Sequence, residues 1–594
     1  MNKKIFLSAI IACMALGMNA QQNTGKELNK EITLEKDFVP VEKKVTKKNT
    51  LPKVKKVTPP AKTNLDYSGT PVDIEVPTTI PTMMPYGYRT AHNFSSKRGY
   101  LEVGGGMAAN FDGSAGYRFL DSDNTQAGIW VQHNSTWADK NKTPLITNDS
   151  ERAKQLYNDN RCGLYLTNHF GGLGTLKLDA GVHFDSFNYY GAHKTENAPK
   201  YDAEKKQTFL EFNLNGKWNG KFAFKDTELP YRAYLGFNHA GYNMVPNPYA
   251  ESAKAANETF FKFGIGGDYS LEDYGTVALD LKGDFMNFKE AKNYSAGTYP
   301  LSNSYFIFTI APRYKWENDV FCAEAGVDLL LGNLQIYEGD IKKDGSIHIA
   351  PVVKLDIDIV DGAAVYVDLK GGNRINSLSY MASVDRYSTP LGLLSNTWNQ
   401  IDGEAGFKIG PFAGLSAKIF GGYAISNGAL VLNHDLGGPA HTKYAANDYL
   451  ARKMRGFKLG AELNYKYRSL VEVAGAVTYA PGDDALGADW VKGYNLGLDG
   501  AQMVANFNVK VTPISKLAVN LGMDYRGKRR TVQSETTYVD MDDAFNLHAG
   551  ASWRFDKLLS VWLKGNNLIN RKYDVLPGQG AQGLNVMAGV SLVF

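Results

Sequence analysis

From Gly99 to Phe594 the chain repeats one pattern, in which apolar and polar residues alternate at every second position over stretches of strand length. That period belongs to a β-strand with one greasy face and one wet face. Leu210, Phe212 and Leu214 oppose Glu211, Asn213 and Asn215; Val277, Leu279 and Leu281 oppose Asp280 and Lys282. Val353, Leu355, Ile357 and Ile359 oppose Lys354, Asp356 and Asp358, while Val365, Val367 and Leu369 oppose Tyr366, Asp368 and Lys370. Phe507, Val509 and Val511 oppose Asn506, Asn508 and Lys510. The last two strands have the same design: Leu559, Val561 and Leu563 against Trp562, Lys564 and Asn566, then Leu584, Val586, Ala588, Val590, Leu592 and Phe594 against Asn585, Gly589 and Ser591. Charges along one face require an interior that is wet or filled by polar protein, whereas the inner faces of a sandwich are dry. The pattern predicts an all-β membrane fold, a single antiparallel transmembrane β-barrel of about 22 strands.

The connections support this. Short links at Gly171, Glu272, Glu317 to Asp319, Asp361, Gly410, Arg468, Pro513 to Ser515 and Asp556 alternate with long polar ones. The long ones lie near 139 to 152, 190 to 205, 244 to 257, 289 to 303, 335 to 345, 375 to 397, 427 to 453, 481 to 498, 528 to 541 and 571 to 582. Short periplasmic turns and long outer loops are expected of an outer-membrane barrel, and the alternation puts both chain ends in the periplasm. One link, near 217 to 229, reads as long for a turn. Tyr314, Trp316, Tyr465, Tyr467 and Trp553 fall near strand ends, where interfacial girdles form.

The segment GNNLINRKYDVLPG and the strand that follows it, closing on Phe594, resemble the last hairpin of TonB-dependent receptors, in which an N-L-x-N-[RK]-x-Y segment precedes a final aromatic. Asn567, Leu568, Asn570, Arg571, Tyr573 and Phe594 carry the match, and their polar members read as a strand end and loop anchor. The resemblance implies a large barrel with a globular plug ahead of it. Here the alternation begins near Gly99, which leaves no room for one.

Residues 1–20 read as a signal peptide: Lys3 and Lys4, an apolar run from Ile5 to Met18, and a cut after Ala20. Cys13 is a weak lipidation candidate, because the apolar run continues past it. Residues 21–98 are rich in Lys and Pro and read as an extended periplasmic leader, with the barrel at 99–594. Within the leader, Ile32, Leu34, Phe38, Val39 and Val41 form a short β-prone piece able to add to a sheet edge in a periplasmic or outer-membrane partner, as a TonB box does. The leader also resembles those of plug-lacking, TonB-receptor-like barrels of Bacteroides-type bacteria, in which an acidic-hydrophobic start precedes an N-x-L-P segment, here Asn49, Leu51 and Pro52.

Composition adds mainly exclusions. A mean hydropathy of −0.31 is what alternating lipid-facing and lumen-facing strands give on averaging. The net charge of +4 is too small to argue for nucleic acid. Cys162 and Cys322 lie in different strands and lack metal-ligand spacing, and the ten histidines form no ligand motif. No cofactor or metal is implied. His169, His239 and His183 with Asp185 and Ser186 are the residues to weigh for a hydrolase; spacing along a strand does not make a triad, and the chain reads as a non-enzyme. Lys528-Arg529-Arg530, and His434, Asp435, His441 and Lys443, mark loops that either bind a ligand or are plain solvated surface.

A barrel of this size encloses a lumen that must be filled. The first expectation is therefore a plugless channel in the bacterial outer membrane, occluded by a partner or by its own loops, or the membrane-embedded part of an envelope complex. TonB-dependent uptake of a nutrient and a passive porin are the alternatives.

Overall fold

The computed structural model describes residues 97–138, 155–189, 206–224, 227–244, 255–289, 304–338, 341–388, 396–433, 447–482, 490–532, 538–577 and 579–594. Twenty-five strands share one sheet. Twenty-two form the wall; the other three, Trp490–Lys492, Arg529–Val532 and Tyr538–Met541, are short additions to it. Each wall strand pairs antiparallel with its neighbours, and the ring closes where Gly99–Gly106 pairs with Asn585–Val593. At that seam Gly99 N donates to Phe594 O at 2.7 Å and Phe594 N donates back to Gly99 O at 2.9 Å. Closure leaves no sheet edge, the condition for strands to cross lipid.

Burial is inverted relative to a soluble protein. Leu210, Phe212, Leu279 and Ile349 point outward and are among many large apolar side chains left uncovered by protein. Their partners Glu211 and Asp280 face inward, where cross-strand ion pairs line the wall: Lys418 and Lys458 reach Glu404 at 2.7 and 2.8 Å, and Arg232 reaches Asp280 and Asp268 at 2.7 and 2.8 Å. Trp562 also points inward, and its ring lies over Gly104 and Gly589 of the two flanking strands. A Cβ at Gly104 would come within 2.2 Å of that ring, so the bare backbone makes room for the indole. No described helix is long and apolar enough to cross a membrane. Cys162 and Cys322 form no disulfide.

Two links depart from the sequence reading. The one placed at 217 to 229 is a tight hairpin, because strands Lys206–Phe224 and Thr227–Tyr242 extend until Phe224 pairs with Thr227. The long loop placed at 335 to 345 is also a hairpin, with backbone pairing carried on to Glu338 and Ile341. In both, continued ladder hydrogen bonding satisfies backbone groups that a loop would leave to solvent. The signal peptide, Cys13, the leader to residue 96 with Asn49, Leu51 and Pro52, and therefore the question of a plug lie outside the described residues.

Candidate functional site

The segment after strand Ala363–Arg374 folds into the barrel. Its centre is a short helix, α1 (Leu378–Val384). Ser377 caps it, its hydroxyl accepting from Tyr380 N at 3.1 Å. Two more amides of its first turn, Leu378 N and Ser379 N, donate to the Glu258 carboxylate at 2.7 and 2.9 Å. Glu258 belongs to strand Asn257–Ser270 on another part of the wall. The apolar side of α1 is clamped from two directions: Leu378 packs into a cluster with Phe187, Phe209, Tyr242 and Phe288, and Met381 packs with Leu430, Leu432 and Tyr449. The loop thus bridges wall strands far apart in the ring and fills the space between them with protein.

Two charged residues just past α1 fasten it. Arg386 donates through Nε to Asp185 Oδ2 and through its second terminal nitrogen to Asp159 Oδ2 at 3.0 Å, and its guanidinium lies 4.1 Å above the Tyr157 ring. Asp159 and Asp185 stand on strands Gln155–His169 and Thr175–Asn188, nine and eight strands around the ring from the strand that launches the loop. Asp385, the residue before Arg386, accepts from Asn447 Nδ2 at 2.9 Å, Tyr449 hydroxyl at 2.6 Å and Tyr387 N at 2.9 Å. Burial pushes the Asp385 carboxyl above its ordinary range in spite of those three donors.

Asp159 also meets His183 Nε2 at 3.2 Å and Arg161 Nε at 3.1 Å. The ligand atoms of Asp159, His183 and Asp185 lie within 4.8 Å of one another, a grouping that can hold a metal ion. The guanidinium of Arg386 already supplies that grouping with a cation, so its chemistry here is that of a socket. His183 and Asp185 share the inner face. His169 and His239 instead bond Thr175 and Thr259 hydroxyls at 2.8 and 2.9 Å, away from this cluster.

A second inward segment runs from Tyr494 to Gln502. Tyr494 hydroxyl reaches Asp402 at 3.0 Å, and Asp499 accepts from Arg526 Nε at 2.7 Å and Arg529 Nε at 2.9 Å. Burial would raise the Asp499 pKa, but the two guanidinium groups outweigh it and hold the carboxyl below its ordinary range. Arg529, read from sequence as part of a surface or ligand-binding loop, is 1% exposed and donates to the backbone oxygens of Asp542, Asp574 and Val575. It ties three loops together and is not offered to a ligand. His434, Asp435, His441 and Lys443 lie outside the described residues, as do Ile32, Leu34, Phe38, Val39 and Val41.

In the terminal hairpin, Asn567 and Asn570 both adopt left-handed backbone, with φ of 47° and 53°. Asn567 Oδ1 accepts from Arg571 N at 2.8 Å while its Nδ2 donates to Arg571 O and Gln582 O, each at 2.9 Å. Asn570 Oδ1 accepts from Leu584 N at 2.9 Å. Leu568 N reaches Leu547 O at 2.9 Å, and Tyr573 lines a cavity beside the seam. Asparagine suits these positions because its short amide tolerates that backbone and bonds it locally.

No family model matches the chain, and no curated protein matches it in sequence. Solved structures do match in fold. A ferric enterobactin receptor mutant from Pseudomonas aeruginosa in complex with enterobactin is similar at TM-score 0.63 and 12% identity, over 84% of this chain and 81% of that one. The siderophore receptor from Acinetobacter baumannii is similar at TM-score 0.62 and 11% identity, over 84% and 80%. The barrel architecture is therefore that of TonB-dependent siderophore receptors. A closed barrel with this outward apolar belt belongs in the bacterial outer membrane.

Proposed function

We propose that the chain is an outer-membrane channel without a globular plug, held shut by its own inward loop, on its own or as the membrane-embedded component of an envelope complex. The observation that carries this reading is the seating of Arg386 between Asp159 and Asp185 on a remote part of the wall. A half-buried guanidinium between two buried carboxylates, and a capped helix on an apolar bed, make a specific closure. In this reading the chain catalyses nothing and needs no cofactor. Planar-bilayer recording on purified full-length protein tests it: wild type is silent, and Arg386→Ala gives discrete openings. Large constitutive conductance from wild type would mean a passive porin. A folded, silent Arg386→Ala protein would show that something other than this loop closes the lumen. Gentle detergent extraction with mass spectrometry reports whether a periplasmic or outer-membrane partner accompanies it.

A second reading, TonB-dependent uptake, draws support from the likeness to siderophore receptors and from the β-prone residues Ile32 to Val41. Deleting Ile32 to Val41 would then abolish uptake while the barrel stays folded.

A further inference from the structure

Beside the seam, on the lumen side, a cavity of about 350 Å3 opens between the ends of the first and last strands and the returning terminal loop. That volume falls within the range of small-molecule sites, roughly 300–1,000 Å3. Its lining has an unusual composition: eight of its seventeen residues are Asn or Gln, and its two charges, Asp112 and Lys564, are opposite in sign. A carboxamide donates and accepts hydrogen bonds without carrying charge. A wall made of them favours a solute that does both at many points and is itself neutral.

The cavity is also built rigidly. Gln582 accepts from Asn110 Nδ2 at 3.0 Å and Asn585 Nδ2 at 2.7 Å, and donates to Gln155 Oε1 at 2.9 Å and Thr136 Oγ1 at 3.1 Å. The network fixes which amide atoms point where. Tyr573 adds an aromatic surface on the same wall.

We propose that this cavity binds a neutral oligosaccharide. The hydroxyls of a sugar both donate to and accept from carboxamides such as those of the lining, and a pyranose face suits a tyrosine ring. The site shares Tyr157 with the closure, where its ring lies under Arg386. A ligand there touches a residue that holds the loop in place. Binding itself requires no conduction, so the proposal stands or falls separately from the channel reading.

The test applies labelled, detergent-purified full-length protein to an array of neutral oligosaccharides, anionic oligosaccharides and peptides. Retention on neutral oligosaccharides is expected, weakened tenfold or more in Asn134→Leu and in Asn566→Leu, two lining positions outside the Gln582 network. Both variants must keep the heat-dependent gel mobility of a folded barrel, and Asn134→Ala and Asn566→Ala replace any that does not. Absence of neutral-saccharide retention, retention only on anionic saccharides or peptides, or binding unchanged in both variants would overturn the proposal.

Discussion

Arg386 and Asp185 are 201 positions apart in sequence and hydrogen-bonded in the lumen. The pair joins a loop to a wall from which it does not arise, and it adds a charged tie to those made by Glu258 and Asp385.

Removing the Arg386 guanidinium leaves the buried Asp185 carboxylate without it, while Asp159 keeps Arg161. Breaking a buried ion pair from one side costs about 3–5 kcal/mol, and Arg386→Ala should loosen the loop by an amount of that order. Cells carrying it should become sensitive to a large antibiotic that the intact barrel excludes. Pairing Arg386→Met with Asp185→Leu, which removes both charges, should restore part of the exclusion.

The second inward segment should be acid-labile. The folded pKa of Asp499 is depressed, so its contribution is fully present above the unfolded value of about 3.9 and is lost as pH falls through the folded value. Pepsin should therefore cut near Leu496 and Leu498 with a steep increase below about pH 4. Asp499→Asn at the same pH values should be cut readily and without that step.

The seam should be sensitive to a single methyl. Gly104→Ala sets a Cβ against the Trp562 ring, and overpacking of this kind costs about 1–3 kcal/mol. The temperature at which the folded band disappears on a semi-native gel should drop. Combining it with Trp562→Leu should recover most of the loss.

Adjacent residues should respond oppositely to charge. Phe212→Arg places a cation against lipid and costs about 2–4 kcal/mol near mid-depth, while Asn213→Arg points it into the lumen and costs little. Urea unfolding in lipid vesicles reads the difference directly.

The sequence revealed the wall because lipid imposes a strict rule on every strand: Leu210, Phe212 and Leu214 had to be apolar and Glu211 and Asn213 did not. It hid the closure because that depends on pairings between distant residues. Nothing local to Asp159 or Asp185 announces Arg386. Even so, Ser377 followed by Leu378 and Met381 was a readable helix start with an apolar face, set in a link otherwise taken as an outer loop. The hairpin through Glu338 and Ile341 was missed for another reason, since ladder bonding there continues past the stretch where the alternation is clear. Arg529 misled because a basic triplet looks solvent-exposed, while its guanidinium is spent on backbone oxygens.

Because Gly99 bonds Phe594, the first strand waits for the final one before either has a full set of neighbours. Until that last strand has been made and exported, the sheet is an open ribbon with two adhesive margins. A chain cut short by even one strand could never seal, and its margins would seek other copies instead. The ring therefore seals only once both of these strands are in place.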